Sequence, residues 1–177
     1  KKIFNKKKIL IYGMGKTGLS SYKYLRKNNQ ISLYDDNKKI FNKKILKKLL
    51  LDKNKIHQSK FDFILISPGI NINKCDLKKY LKKNLKKIIT DLDIFYSHHS
   101  KNMIITITGT NGKSTTAKLL NLILKDHKKD SRLCGNIGNP ILSQKKISKK
   151  TLFVVEASSY QIAYSKFFKT NYAIILN

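Results

Sequence analysis

Ile104-Ile105-Thr106-Ile107-Thr108-Gly109-Thr110-Asn111-Gly112-Lys113-Ser114-Thr115 is the stretch that decides how this 177-residue chain is read. A β-branched apolar run from Met103 to Thr108 reads as a buried strand. A glycine turn follows, and Lys113-Ser114 opens a helix running to Lys125. The generic phosphate-loop pattern G-x-x-x-x-G-K-[ST] wants glycine five positions before Gly112, where this chain has Ile107. The pattern fails in its letter, but its mechanism is retained. Backbone N–H groups of residues 110–115 can wrap a phosphate, the Lys113 ammonium reaches β and γ oxygens, and the Ser114 hydroxyl suits Mg²⁺. The expectation is ATP or GTP held by Gly109, Thr110, Asn111, Gly112, Lys113, Ser114 and Thr115, against a turn that is merely structural.

Glu156, the only glutamate in the chain, ends the strand read over Thr151–Val155. A carboxylate at a strand terminus beside such a loop is placed to hold or position Mg²⁺. The alternative is an acid interacting with the dipole of the next helix, around Ser159–Phe167. Ser158, Ser159 and Gln161 follow with uncharged hydrogen-bonding groups. Gly135-Asn136-Ile137-Gly138 reads as a polar, flexible loop, and Tyr172–Leu176 as a further strand.

Upstream, Lys8–Tyr12 reads as a strand running straight into Gly13-Met14-Gly15-Lys16-Thr17-Gly18, a G-x-G-x-x-G turn followed by a helix over residues 17–27. Asp35 lies 20 residues past Gly15, at the end of a strand over Ile31–Tyr34. Glycines at that spacing admit a pyrophosphate against the backbone, the helix start supplies N–H donors, and an acid at that distance can accept from a ribose. The competing reading is a tight structural turn. Ile40–Leu51 reads as a helix, Phe61–Ile66 as a strand, Leu77–Leu85 as a helix and Lys87–Ile89 as a strand. Ser67-Pro68-Gly69 closes the third of these strands, either as part of a ligand crevice or as an ordinary turn. Asp91–His99 reads as a short helix and connector.

Alternation of strands and helices argues for parallel sheets covered by helices. The fold expected is α/β, with a Rossmann-like parallel-sheet domain over residues 1–94 and the start of a P-loop ATPase domain over residues 95–177. A chain that begins without Met and ends at Asn177 after an apolar strand is expected to be a piece of a longer protein.

Composition narrows the classes. Lys and Arg total 38 against 10 acids, a formal charge of +28, and 41% of residues are hydrophobic, which excludes wholesale disorder. No run approaches a membrane span, and no cleavable leader is legible at the N-terminus. Only Arg26 and Arg132 are arginines, and Lys, Ile and Asn dominate, a bias that A/T-rich codons also produce. Lysine pairs on helices read as solvated faces; a nucleic-acid surface is the rival, though no interleaved aromatic platform accompanies them. Cys75 and Cys134, 59 positions apart, make neither a disulfide framework nor a zinc site.

Two phosphate loops in tandem resemble the ATP-dependent Mur ligases of peptidoglycan synthesis, in the superfamily that includes folylpolyglutamate synthase. The carrying runs are Gly15-Lys16-Thr17-Gly18-Leu19-Ser20, Ser67-Pro68-Gly69-Ile70, Asp91-Leu92-Asp93-Ile94-Phe95, Gly109-Thr110-Asn111-Gly112-Lys113-Ser114, Gly135-Asn136-Ile137-Gly138 and Glu156-Ala157-Ser158-Ser159-Tyr160-Gln161. The Ser-Ser-aromatic-Gln run points to the branch that adds D-glutamate. The resemblance implies UDP-N-acetylmuramoyl-L-alanine and D-glutamate as substrates, with ATP and Mg²⁺ as cofactors, in a cytoplasmic and monomeric enzyme. It implies that Gly15, Lys16 and Thr17 approach the uridine diphosphate, Asp35 the uracil side, and Ser67, Pro68 and Gly69 the rim. Asn136, Ser158 and Gln161 would reach the diphosphate, muramoyl and L-alanyl portions. Lys113 and Glu156 would be catalytic, with Ser114 and Glu156 at the metal. The residue two after Asp35 is Asn37, where the family often has Arg, and the family's Gly-Asp-Ile-Glu-Leu-Phe-like run reads Thr90-Asp91-Leu92-Asp93-Ile94-Phe95. The family's His and modified Lys ligands would lie beyond Asn177, so this stretch alone is not expected to catalyse. Rival readings are another amide ligase of the superfamily, a basic P-loop module on nucleic acid, and a dehydrogenase, which has no use for the second loop.

Overall fold

The structure is a computed structural model and describes residues 3–37 and 44–177. The first part of the helix expected over Ile40–Leu51 falls on residues 38–43, outside the described residues. Contacts divide the chain between Asp91 and Leu92 into two compact units.

In the first unit the chain runs β1 (Lys8–Tyr12), α1 (Lys16–Leu25), β2 (Gln30–Tyr34), α2 (Lys44–Leu49), α3 (Lys53–Gln58), β3 (Phe63–Ile66), α4 (Lys78–Lys83) and β4 (Ile88–Ile89). The sheet is parallel throughout, in the order β2-β1-β3-β4. Ile9, Leu10, Ile11 and Tyr12 are all fully buried, as a central parallel strand covered on both faces requires. The order changes direction at β1, whose neighbours are β2 and β3, so the crevice beyond its carboxyl end is a topological switch point. Gly13, Asp35 and Ser67 follow these three strands directly.

Helix α3 is absent from the sequence reading. Leu50 pairs with Leu33 as an isolated bridge, and the Asp52 side chain then accepts the Lys55 N–H at 2.8 Å, capping a new helix.

The second unit contains α5 (Asp91–His99, its first residue before the division), β5 (Met103–Gly109), α6 (Lys113–Asp126), β6 (Ser131–Gly135), β7 (Leu152–Glu156), α7 (Ser159–Tyr164) and β8 (Tyr172–Leu176). Its sheet is also parallel, ordered β6-β7-β5-β8. Ile107, Ala117 and Val154 form the core between sheet and α6, with Leu120, Leu124, Leu133, Ile137, Ile174 and Leu176 packed around them. Strand β6 was not expected. Ser131 and Arg132 break the apolar signal, yet Ser131 is buried because its hydroxyl donates to Asn121 Oδ1 of α6 at 2.8 Å. The architecture is α/β with two parallel sheets, and among the described residues no helix is long and apolar enough to cross a membrane.

Two consequences are measurable. A Cβ at Gly18 would sit 1.9 Å from the Gly13 carbonyl oxygen, whereas one at Gly15 meets nothing within 4 Å. Gly18→Ala should therefore lower unfolding free energy by ~2 kcal/mol, and Gly15→Ala by only ~0.5 kcal/mol, the preference of a helix N-cap for Gly over Ala, as read from urea melts. His99 stacks on Phe95 at 4.7 Å, and burial, then the neighbouring His98, pull its imidazole below the usual 6.5 despite a hydrogen bond to Asn102. Its neutral form is the one the fold favours, so its contribution is whole above pH 6.5 and is lost as pH falls through the folded value. The acid-side fall in Tm should be shallower in His99→Phe than in the parent chain.

Candidate functional site

At the carboxyl edge of the first sheet the glycine loop is closed by two side chains from later strands. The Ser67 hydroxyl donates to the Gly13 carbonyl at 2.6 Å, while the Ser67 N–H donates to Tyr12 O at 2.9 Å. Asp35 accepts the Met14 N–H at 2.6 Å and the Asn37 N–H at 2.9 Å, one on each oxygen. Both groups are nearly buried, so each holds the loop's shape from below. Gly15 caps α1 with no side-chain bond, and Lys16 beside it is exposed. Neither Gly15 nor Gly69 is required by any intrachain contact, since a Cβ at either would meet open space. Pro68 is half-buried between Ser67 and exposed Gly69.

Sequence reasoning missed a hydroxyl–carboxyl network at the same edge. Tyr12 OH donates to Asp36 Oδ1 at 2.6 Å, and its ring meets Tyr34 edge-on at 5.1 Å. Tyr34 OH donates to Asp76 Oδ2 at 3.2 Å, and Lys53 Nζ lies 2.7 Å from the same oxygen. Burial first, then the bond to Asp36, raises the Tyr12 phenol well above its ordinary value; burial and Asp76 do the same to Tyr34. Both phenols stay protonated donors, Tyr12 pinning the segment after β2 and Tyr34 the loop between β3 and α4. In the sequence they read only as strand-end aromatics, because their acid partners are supplied by loops.

At the carboxyl edge of the second sheet, β5 leads into Gly109 and the turn ends at Gly112, whose φ of 75° is left-handed and starts α6 without a side-chain cap. The first amides of α6 therefore open toward the loop. Lys113 Nζ donates to the Gly109 and Thr110 carbonyls, both at 2.8 Å, curling over its own turn rather than into apolar packing. Pairing of Ile107 with Glu156 places β7 beside β5, and Ser114 Oγ donates to Glu156 Oε2 at 2.7 Å. Glu156 is 6% exposed. Thr110, Asn111 and Thr115 are exposed around this pair. A hydroxyl and a carboxylate joined at a helix start are a hard-oxygen donor set of the kind Mg²⁺ takes together with substrate phosphates. No group of three or more His, Cys, Asp or Glu side chains suited to a metal occurs among the described residues.

Asn136 is exposed, and its N–H donates to Glu156 O at 2.9 Å, which sets its loop next to the end of β7. Ser158 and Gln161 form a reciprocal capping box at the start of α7: Ser158 Oγ accepts the Gln161 N–H at 3.2 Å, and Gln161 Oε1 accepts the Ser158 N–H at 3.4 Å. The S-x-x-Q spacing is itself the signature of such a box.

A model of Mur ligase MurD-like N-terminal domains matches residues 7–89, and a model of the Mur ligase middle domain matches residues 107–177. The chain belongs to the Mur ligase family. It is 35% identical over 178 residues to the UDP-N-acetylmuramoylalanine–D-glutamate ligase of Rickettsia bellii, covering 99% of this chain and 39% of that protein. The corresponding ligase of Buchnera aphidicola is 41% identical over 179 residues, again covering 97% of this chain and 39% of the relative. The chain thus spans about two-fifths of the length of these relatives. A solved UDP-N-acetylmuramate:L-alanyl-gamma-D-glutamyl-meso-diaminopimelate ligase from Neisseria meningitides shares the fold with a TM-score of 0.52 at 16% identity, over 96% of this chain and 60% of that one. Family membership implies the use of ATP and Mg²⁺ typical of Mur ligases.

The capping box carries its own prediction. Ser158→Ala should lower unfolding free energy by ~1 kcal/mol in urea titrations, because the Gln161 N–H loses its acceptor.

Proposed function

We propose that this chain is the uridine-nucleotide-binding and ATP-binding part of a ligase that adds D-glutamate to UDP-N-acetylmuramoyl-L-alanine, in cytoplasmic peptidoglycan synthesis. The observation that carries the reading is the Ser114–Glu156 contact of 2.7 Å beside Lys113 at the start of α6. Eight D-glutamate-ligase relatives at 31–41% identity support this member of the family.

The first unit takes the UDP end. Gly15, Lys16 and Thr17 approach the diphosphate, where a bare glycine and the free amides of α1 admit its oxygens. Asp35 borders the uracil side, acting through the loop it holds as well as through its edge. Ser67, Pro68 and Gly69 form the rim. On the second unit, Asn136, Ser158 and Gln161 serve the diphosphate, muramoyl and L-alanyl portions. The second unit is the start of a P-loop ATPase fold in which Gly109, Thr110, Asn111, Gly112, Lys113, Ser114 and Thr115 cradle the phosphates. Ser114 and Glu156 would hold Mg²⁺, which when bound neutralises charge on the phosphate oxygens.

The chemistry is amide formation. A carboxylate is a poor electrophile, so an oxygen of the L-alanyl carboxylate takes the γ-phosphoryl group and ADP leaves. Lys113, released from the Gly109 and Thr110 carbonyls, moves its ammonium onto the oxygens that gain charge. The amine of D-glutamate then attacks the acyl carbon, inorganic phosphate departs, and the amine gives up a proton. Glu156 holds the Ser114 hydroxyl and would help to hold the metal. The complete cycle belongs to the whole protein, and the binding steps belong to these residues.

Isothermal calorimetry on the 177-residue chain tests this. Saturable binding of UDP-N-acetylmuramoyl-L-alanine and of Mg·ATP is expected. Lys113→Ala should weaken Mg·ATP by at least ~10-fold and leave the uridine nucleotide alone, while Gly15→Ala should do the reverse. A folded chain that binds neither, but binds RNA or DNA with steep salt dependence, would overturn the reading in favour of a nucleic-acid module.

A further inference from the structure

Asp93 lies in the run Thr90-Asp91-Leu92-Asp93-Ile94-Phe95, which the functional reading leaves unused. It is on α5 and is fully buried. Its Oδ1 accepts three successive main-chain N–H groups, those of Lys166 at 2.8 Å, Phe167 at 2.7 Å and Phe168 at 3.1 Å. Amides of one turn converging on a single oxygen make a backbone nest. That turn begins two residues after α7 ends.

Helix α7 has six residues, too few to hold its own orientation, so its two ends set where it lies. Its start is the Ser158–Gln161 box at the end of β7. Its exit is Ser165, whose N–H donates to Gln161 O at 3.1 Å and whose hydroxyl donates to the same oxygen at 2.8 Å. The turn held by Asp93 follows at once. Beyond it, Thr170 Oγ1 donates to Ile104 O at 2.9 Å, and the Ile104 N–H donates to Asn171 Oδ1 at 2.8 Å. The segment from 165 to 171 is thus tied to β5 at one end and to α5 at the other.

We propose that Asp93 is a positioning residue: through the 166–168 turn it fixes α7, and with it the placement of Ser158 and Gln161 for the muramoyl-L-alanyl arm of the substrate. This rests on the functional reading above and adds to it a residue that never touches substrate. The carboxyl group is sealed from solvent, so its hold on the 166–168 turn does not depend on contact with substrate. Glutamate is the conservative substitution here, because it keeps a carboxylate for the three amides to bind.

The test compares affinities of the whole chain for UDP and for UDP-N-acetylmuramoyl-L-alanine in the parent, Asp93→Ala, Asp93→Asn and Asp93→Glu. Hydrogen exchange over residues 158–168 is measured in parallel. Asp93→Ala should hold UDP within about twofold and lose about tenfold for the muramoyl-L-alanyl compound, as misplacement of a binding group implies. Exchange over 158–168 should quicken about tenfold or more, with the strands unaffected. Asp93→Glu should restore the affinity ratio, which a merely stabilising role would not require. Should Asp93→Ala fail to fold, Asp93→Asn decides by the same two readouts, because the neutral amide oxygen holds the three N–H groups more weakly than the carboxylate and a smaller shift, about threefold, is expected in each. An unaltered ratio or unaltered exchange in the substituted chain overturns the Asp93 assignment alone. If the parent binds neither uridine compound, the functional reading itself fails and takes the assignment with it.

Discussion

Parallel pairing brings every strand's carboxyl end, and the helix start that follows it, to one edge of its sheet, and the rest of this protein is arranged around that constraint. In the second unit it sets β7 against β5, so that Glu156 lies level with Ile107 and reaches Ser114 at the first turn of α6. In the first unit it sets β2 and β3 on either side of β1, so that Asp35 and Ser67 arrive beside Gly13 from opposite directions. A helix start alone offers unpaired amides. What turns these two starts into shaped loops is the side chain delivered from the neighbouring strand.

The two loops are built on different economies of hydrogen bonding. In the first, Asp35 and Ser67 are bonded to the loop's own backbone and are nearly buried, so the loop exposes backbone and Lys16. In the second, the functional side chains are bonded to one another or to loop carbonyls: Ser114 to Glu156, Lys113 to Gly109 and Thr110. The two Lys113 bonds can be exchanged for bonds to anionic oxygens, since the ammonium gains a charged acceptor in place of neutral carbonyls.

The formal charge of +28 takes little part in either site. Ion pairs among the described residues, such as Lys53 with Asp76 and Arg132 with Asp130, are half-exposed and therefore weak. Lysines on helices take the outer face, as on α4, where Tyr80 and Leu81 are buried and Lys78, Lys79, Lys82 and Lys83 are exposed. Lysine on these helices makes a solvated surface, while the single glutamate of the chain is buried against Ser114.

Local chemistry made much of this legible. The runs ending in Gly13 and Gly109 announce strand–turn–helix units because period, glycine placement and the Lys-Ser helix start are all properties of adjacent residues. Ser158 and Gln161, three apart, likewise carry their own capping signature. Strand β6 stayed hidden because its polar Ser131 is buried only by virtue of Asn121, a partner on a helix. The Tyr12–Asp36 and Tyr34–Asp76 bonds and the nest around Asp93 were equally invisible, since each joins residues 24 to 75 positions apart. The amino-acid order by itself determined the two glycine turns between strand and helix and the alternating α/β plan, for those arise from backbone preferences and periodicities that act within a few residues. Only the tertiary structure decided which carboxyl groups face a loop, which turn is held from below and which polar residue lies inside, because those outcomes depend on what the parallel sheet brings together from distant parts of the chain.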